Sequence, residues 1–267
     1  MNIVSIIARQ RSGTNLLRGV LSSHPMIFDY GEICHDGCFD SHQNYWNFLE
    51  RTFAKNPNLV YPTLANQKAL YNMYLEHLAA ENKMPAESCY LFDFKYNWTS
   101  FLDVASRYPM DIPNLFNVLS ELGSVVIHLK RKNILEALLS NIVAAKNKLW
   151  TKHTSENIEL KSVEVDAGTL YYNLEKRENE ILLFDEWINI SGCDSISFFY
   201  EDLMNGKEFN KDLCNIVASK LGLESLFNLT PRHYKIVSKS YKDLVLNYKE
   251  VYRVLSGTRF KHLIEML

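Results

Sequence analysis

The chain has no excess of basic residues, no polybasic run and no long apolar stretch. Its 29 Lys and Arg stand against 31 Asp and Glu, a formal net charge of −2, so the basic footprint of a nucleic-acid binder is missing. No segment approaches the roughly 20 consecutive apolar residues that a membrane helix needs. Cysteine is scarce: Cys34, Cys38, Cys89, Cys193 and Cys214 are odd in number, and only one pair is closely spaced. That excludes a regular disulfide framework and points to free thiols in a reducing compartment. Met1 leads almost directly into the apolar run 3–8, without the pattern of a secretory leader, so a soluble, cytoplasmic protein is expected. Internal repeats, low-complexity tracts and long linkers are lacking as well. What is there is 267 residues, 47% hydrophobic and 22% charged. That suffices for a single domain over 1–267 that buries its core without disulfides or metal.

Ile3-Val4-Ser5-Ile6-Ile7-Ala8 is short, rich in β-branched residues and followed by a polar turn, which predicts a buried strand. Leu16, Leu17, Val20 and Leu21 share one face of a helix predicted over 14–23, with Pro25 just beyond it. Further strands are predicted over 88–95, 124–129 and 195–200, and helices over 134–148, 174–190 and 209–221, the last ending on Gly222. Asn133 is placed to cap the 134–148 helix, with Glu136 where a capping-box acid would sit. Helix-prone sequence at 241–255 gives way to a turn at Gly257. Residues 41–87 read as a mostly helical insertion, with helices at 46–53 and 63–81. Strands alternating with helices imply an α/β fold of three layers, a central, mainly parallel sheet flanked by helices.

Arg9-Gln10-Arg11-Ser12-Gly13-Thr14-Asn15 lies between the first strand and the first helix. In α/β proteins the carboxyl end of a strand is where anionic groups bind. Free N–H groups and the helix dipole favour negative charge there. Gly13 permits close backbone approach. Ser12, Thr14 and Asn15 add side-chain donors, and Arg11 adds a permanent charge with a planar donor fork. The loop lacks both the upstream glycine and the Lys after Gly13 of a Walker A sequence, so Mg²⁺-dependent triphosphate chemistry is not indicated.

Arg11-Ser12-Gly13-Thr14, followed by an apolar helix and His24-Pro25, resembles the 5′-phosphosulfate loop of sulfotransferases that use 3′-phosphoadenosine-5′-phosphosulfate (PAPS). The stretch on to Gly31-Glu32 is similar to bacterial carbohydrate sulfotransferases of the nodulation-factor and trehalose type. The resemblance implies a P-loop-like fold, PAPS as donor, 3′-phosphoadenosine-5′-phosphate (PAP) as product, and no metal. It implies donor contacts from Arg11, Ser12, Gly13, Thr14, Asn15 and Leu16. Arg131, just past the end of the strand predicted over 124–129, and Ser140 on the next helix match the family's 3′-phosphate clamp. Tyr200, in Tyr200-Glu201-Asp202-Leu203, and Thr258 with Arg259, in Gly257-Thr258-Arg259-Phe260, are further matches. Residues 41–90 carry no match and are where an acceptor site would vary.

Sulfuryl transfer needs an in-line acceptor and stabilised charge on the leaving oxygens, as phosphoryl transfer does. By this likeness Arg11 stabilises the phosphate–sulfate bridge as it breaks, and loop N–H groups act as an oxyanion site. The acceptor hydroxyl needs a base. Glu32 stands where the carbohydrate enzymes carry an acid, though it reads equally as a surface carboxylate. His35 is the second candidate, since imidazole titrates near neutrality. Lys95 is a candidate to touch sulfate or acceptor, or else a strand-end lysine paired with Asp93. His128, inside an apolar strand, reads as a core residue. Cys34-His35-x-x-Cys38 has no second ligand cluster at zinc-site spacing. The aromatic residues at 28, 30, 39 and 45 either line an acceptor pocket or pack the core. The acceptor is left open among sugars and hydroxyl- or amine-bearing small molecules, and no oligomeric state is implied. A P-loop-like small-molecule kinase and a catalytically silent nucleotide-binding regulator are the alternatives.

Overall fold

In the computed structural model, which describes residues 2–61, 63–82, 85, 87–102, 112–150, 159–231, 237 and 240–267, the first strand sits at the centre of the sheet. β1 (Asn2–Ala8) is buried at every position after the first because it is covered on both faces. Alternation sends Ile3 and Ile7 to one core and Val4, Ile6 and Ala8 to another. In chain order there follow α1 (Thr14–Leu21), β2 (Ile27–Gly31), α2 (Tyr45–Lys55), α3 (Leu64–Asn82), β3 (Cys89–Lys95) and α4 (Tyr96–Leu102). Next come α5 (Asn114–Glu121), β4 (Val125–Lys130), α6 (Ile134–Asn147), α7 (Ala167–Ile190) and β5 (Asp194–Phe199). A two-residue hairpin of β6 (Met204–Asn205) and β7 (Glu208–Phe209) leads to α8 (Lys211–Leu221). The remaining helices are α9 (Tyr241–Leu244), α10 (Tyr248–Ser256) and α11 (Lys261–Glu265).

The sheet has five parallel strands in the order β2-β3-β1-β4-β5. The result is a three-layer, P-loop-like α/β fold. On one face Ile3, Ile7, Phe92 and Phe94 meet α2, α3, α5 and the second half of α7. On the other, Val4, Ile6, Leu91 and Ile127 meet α1 and α8. A third cluster joins α6 and the first half of α7 to α9, α10 and α11. The chain leaves β1 for β2 on one side of the sheet and β4 for β5 on the other. The carboxyl ends of β1 and β4 therefore bracket the crevice where sheets of this kind take ligands. Residues 9–13 and 131–133 occupy those ends.

The predicted strands over 3–8, 88–95, 124–129 and 195–200 all form within a residue of their expected bounds. The 41–87 stretch is helical, and Tyr45 of α2 stacks on Tyr71 of α3 at 4.9 Å. Four expectations are corrected. The helix predicted from 174 begins at Ala167, because the Asp166 side chain accepts from the N–H groups of Gly168 and Thr169. The helix predicted over 241–255 breaks into α9 and α10. There the side chain of Asn247 is committed to both backbone groups of Val165, at 3.0 and 2.7 Å. β2 was not foreseen: it is an edge strand with exposed Asp29 at its centre and a register shift between Asp29 and Gly31. Asn133 caps α6 as expected, but Glu136 does not close a capping box. Its carboxylate turns to Arg131 at 2.7 Å, while Glu201 accepts from the N–H groups of Lys132 and Asn133.

All five cysteines are free thiols, four buried and Cys38 exposed. Among the described residues no helix is long and apolar enough to cross a membrane.

Candidate functional site

β1 ends at Ala8, and the chain makes two left-handed steps, at Arg11 (φ 69°) and Gly13 (φ 88°), before α1 begins. Gly13 suits such a conformation. Arg11 does not, and an L-residue there costs on the order of 1–2 kcal/mol. Among the described residues the amides of Gly13, Thr14 and Asn15 have no backbone acceptor, as expected where a helix begins, which leaves them available as donors. A β-carbon on Gly13 would fall 2.1 Å from the Tyr200 ring, so only glycine lets the loop lie against that side chain.

Tyr200 then links the two strand ends. The Arg131 guanidinium lies over its ring at 4.1 Å. Arg131 is buried and held from both sides, by Glu136 at 2.7 Å and Glu201 at 3.1 Å. The Tyr200-Glu201-Asp202 phrase thus has a structural account: a platform for Arg131, a cap for α6, and a partner for Lys132. Across from Arg131, the Arg11 Nε and Nη2 groups donate to the Ser140 hydroxyl at 3.1 and 3.0 Å, and Nη1 donates to the Trp150 carbonyl at 2.8 Å. Neither partner is charged. Burial pushes the Arg11 guanidinium below its usual range, and the charge of Arg131 contributes in the same direction. Two arginines and a serine from distant parts of the chain thus converge at the switch point.

On the other flank, Lys95 closes β3 and is almost fully buried. Its ammonium donates to both Asp93 carboxylate oxygens at 2.6 Å and to Thr14 Oγ1 at 2.7 Å, and lies 3.3 Å from Glu32. Asp93 is fully buried, and a buried carboxylate needs a cation. Lys95 is therefore a joint between Asp93, the first helix and Glu32, not a cation free for a ligand. Arg18 braces this side through Asp29 at 2.9 Å. Although burial opposes it, the hydrogen bond and charge of Asp29 raise the Arg18 guanidinium above its usual range.

Glu32 follows β2, is partly exposed, and faces the cleft. His35 also lies there, but its Nδ1 accepts from the Gly37 N–H at 2.9 Å. That hydrogen bond engages the Nδ1 lone pair. Both candidate bases thus line the cleft, His35 with its Nδ1 engaged by the Gly37 amide and Glu32 beside the Lys95 ammonium.

These groups line one cleft of about 1020 Å³, enough for a nucleotide and a second small molecule. Among its described lining residues Arg9, Arg11, Arg18, Lys95, Arg131 and Arg177 outnumber Glu32, Asp36 and Glu136. Carboxylates already meet most of these cations, Arg9 through Glu180, Arg18 through Asp29, Lys95 through Asp93 and Arg131 through Glu136 and Glu201, which leaves Arg11 and Arg177 without one among the described residues. Gly13, Thr14, Asn15, Leu16, Ser140 and Tyr200 all reach this cleft. Ser12 is buried behind the loop and lines a smaller void instead. Thr258 and Arg259 do not reach it: Thr258 donates to the Leu255 carbonyl, and Arg259 pairs with Glu175 and Glu178 on α7. The structure thus places both residues of the C-terminal match outside the cleft's lining, with the arginine paired to α7.

Of the four aromatic positions singled out earlier, Tyr30 lines the cleft, Tyr45 is core, Phe39 is exposed and Phe28 is half-buried. His128 is a core residue, donating or accepting between Tyr96 and Asp185. Among the described residues no group of His, Cys, Asp and Glu is placed to hold a metal. Tyr241 and Arg177 also line the cleft and were not anticipated. Tyr241 carried no signal. Arg177 did: in α7 it takes a position in the buried stripe Leu170, Leu174, Arg177, Phe184, Ile188, where an apolar side chain is the rule. Neither a family model nor a curated protein matches this chain.

Proposed function

We propose that the chain is a sulfotransferase that moves the sulfuryl group of PAPS to a hydroxyl or amine of a carbohydrate or other polar small molecule, releasing PAP. One observation carries this reading: residues 13–15, whose amides have no backbone acceptor among the described residues, and the residues Arg11, Ser140 and Arg131 line one cleft at the switch point of the sheet. Two separate anion sites at the ends of β1 and β4 suit a nucleotide phosphorylated at both ends. The first loop has no Walker lysine, and Lys95, the cleft's lysine, is tied to Asp93.

In this reading the acceptor hydroxyl gives its proton to Glu32, whose carboxylate is held by Lys95 at 3.3 Å. The oxygen attacks sulfur, the sulfur–oxygen bond to the 5′-phosphate breaks, and PAP leaves as an anion that needs little protonation. Charge on that leaving group is met by the loop amides and the first-helix dipole. The guanidinium of Arg11, now on Ser140, is within the same cleft and supports the phosphate charge from the α6 side.

The test is isothermal titration of PAP into the full chain without metal, with ATP as the control. Binding of PAP with negligible binding of ATP is expected, and it should weaken at least tenfold in Arg131→Ala, where a charge-assisted contact is lost. Absence of PAP binding would refute the assignment.

A further inference from the structure

Arg177 is 6% exposed, near the middle of α7, on a stripe of otherwise apolar residues. Its Nη1 has no hydrogen-bond partner among the described residues, and no described carboxylate pairs with it. Glu180, one turn further on, is committed to Arg9. The charge of Arg9 repels it: burial, then Arg9, push the Arg177 guanidinium down to about 9, so it is still a cation at neutral pH. Arg9 is lowered as well, first by its own burial. The local trio of Arg9, Arg177 and Glu180 thus carries two positive charges and one negative, in a place where water compensates little.

Two cavities touch Arg177. The one behind the first loop is about 10 Å³, room for roughly a single water. The other is the main cleft, which Arg177 reaches together with Arg9, Gln10, Asn97 and Trp98. Arg9 and Gln10 open the first loop, and Asn97 and Trp98 follow β3. Arg131, just past β4, borders the small void together with Arg177, and shares the main cleft with Ser140 of α6. An unpaired buried cation facing a cleft is a site waiting for an anion.

We infer that Arg177, with Arg9 beside it, forms a further anion subsite in this cleft, one that holds a phosphate, sulfate or carboxylate group on the acceptor. The inference rests on the donor reading above and narrows the acceptor class to molecules that are already anionic. A second anion would also explain why an arginine replaces a leucine-like residue in the α7 stripe.

The probe is inorganic phosphate, titrated into the full chain at saturating PAP. Wild type should bind phosphate, and Arg177→Met should weaken that binding at least tenfold while PAP affinity holds. Arg177→Lys should recover part of the loss. The melting temperature of phosphate-free Arg177→Met should equal or exceed wild type, since an uncompensated charge is replaced by an apolar chain of similar length. A drop in melting temperature would mark Arg177 as structurally paired and overturn the subsite. So would phosphate binding that Arg177→Met leaves unchanged, or no phosphate binding by wild type. Should Arg177→Met fail to fold, the Arg177 Nε–Hε resonance of the wild type serves instead: it should shift on adding phosphate, and a static resonance overturns the inference. The titration is repeated on Arg131→Ala without PAP, which separates the two readings. Absence of PAP binding anywhere sinks the donor assignment alone, whereas loss of phosphate binding in Arg131→Ala would show a single joint site and sink the separate subsite.

Discussion

Replacing Gly13 by alanine tests the loop at its tightest point. Two costs are involved. The residue sits at φ 88°, where an L-residue is disfavoured by about 1–2 kcal/mol. The new β-carbon would also stand 2.1 and 2.5 Å from Cδ2 and Cε2 of Tyr200, and overpacking of that kind costs about 1–3 kcal/mol. Tyr200 has little freedom to retreat, because Arg131 lies on its ring at 4.1 Å. A combined loss near 3 kcal/mol would lower the melting temperature of a chain this size by roughly 6–12 °C. Urea unfolding of Gly13→Ala, Tyr200→Ala and the double variant separates the parts. With the ring gone only the dihedral cost remains, so Gly13→Ala should be cheaper by about 1–3 kcal/mol in the Tyr200→Ala background. An equal cost in both backgrounds, or a loss under about 0.5 kcal/mol in the wild-type background, would refute the contact as the reason for glycine.

Glu32→Gln should leave PAP affinity unchanged and reduce sulfuryl transfer by roughly 10²–10⁴-fold; retained turnover with a working acceptor would remove the base role from this residue. Arg259→Ala should leave PAP affinity and stability near wild type, because its partners Glu175 and Glu178 are on an exposed helix face; a marked loss of PAP affinity in titration would show that the C-terminal loop rearranges onto the nucleotide. Burial, opposed by the hydrogen bond and charge of Asp185, holds His128 below its ordinary value of 6.5. Below pH 6.5 the unfolded chain takes up a proton that the native imidazole refuses, so stability should fall as pH drops from 6.5 toward the lowered native value. Urea unfolding between pH 7.5 and 5 should show a shallower decline in His128→Gln, and an identical slope would contradict this.

The strands that the sequence reveals are those buried on both faces. β1, β3 and β4 are continuous apolar runs, and their pattern needs no tertiary knowledge. β2 escapes because an edge strand can keep Asp29 in its middle, and here that aspartate is needed by Arg18. The loop and Arg131 are legible from their place at strand ends. Their partners are not: Ser140 receives Arg11, from 129 residues away, and no local pattern announces that contact. Lys95 and His35 show the limit of residue type as a guide. Each has the chemistry for catalysis, but Asp93 claims the lysine and the Gly37 amide claims the imidazole lone pair. Arg177 was visible as a charge breaking an apolar stripe, a signal that helix-length reading alone passes over.

The position of β1 in the sheet sets a schedule for synthesis. It is made before both of its neighbours, 89–95 and 125–129, so it leaves the ribosome with both edges unpaired. At roughly 5–20 residues per second, the interval before β4 follows is about 6–25 s. During it the apolar run 3–8 is an exposed strand and a target for holding chaperones. The loop 9–13 cannot take shape earlier, since Tyr200 and Ser140, which meet Gly13 and Arg11, are younger still. Nascent chains arrested before residue 200 should therefore be bound by chaperones and unable to retain nucleotide, however complete their first loop is.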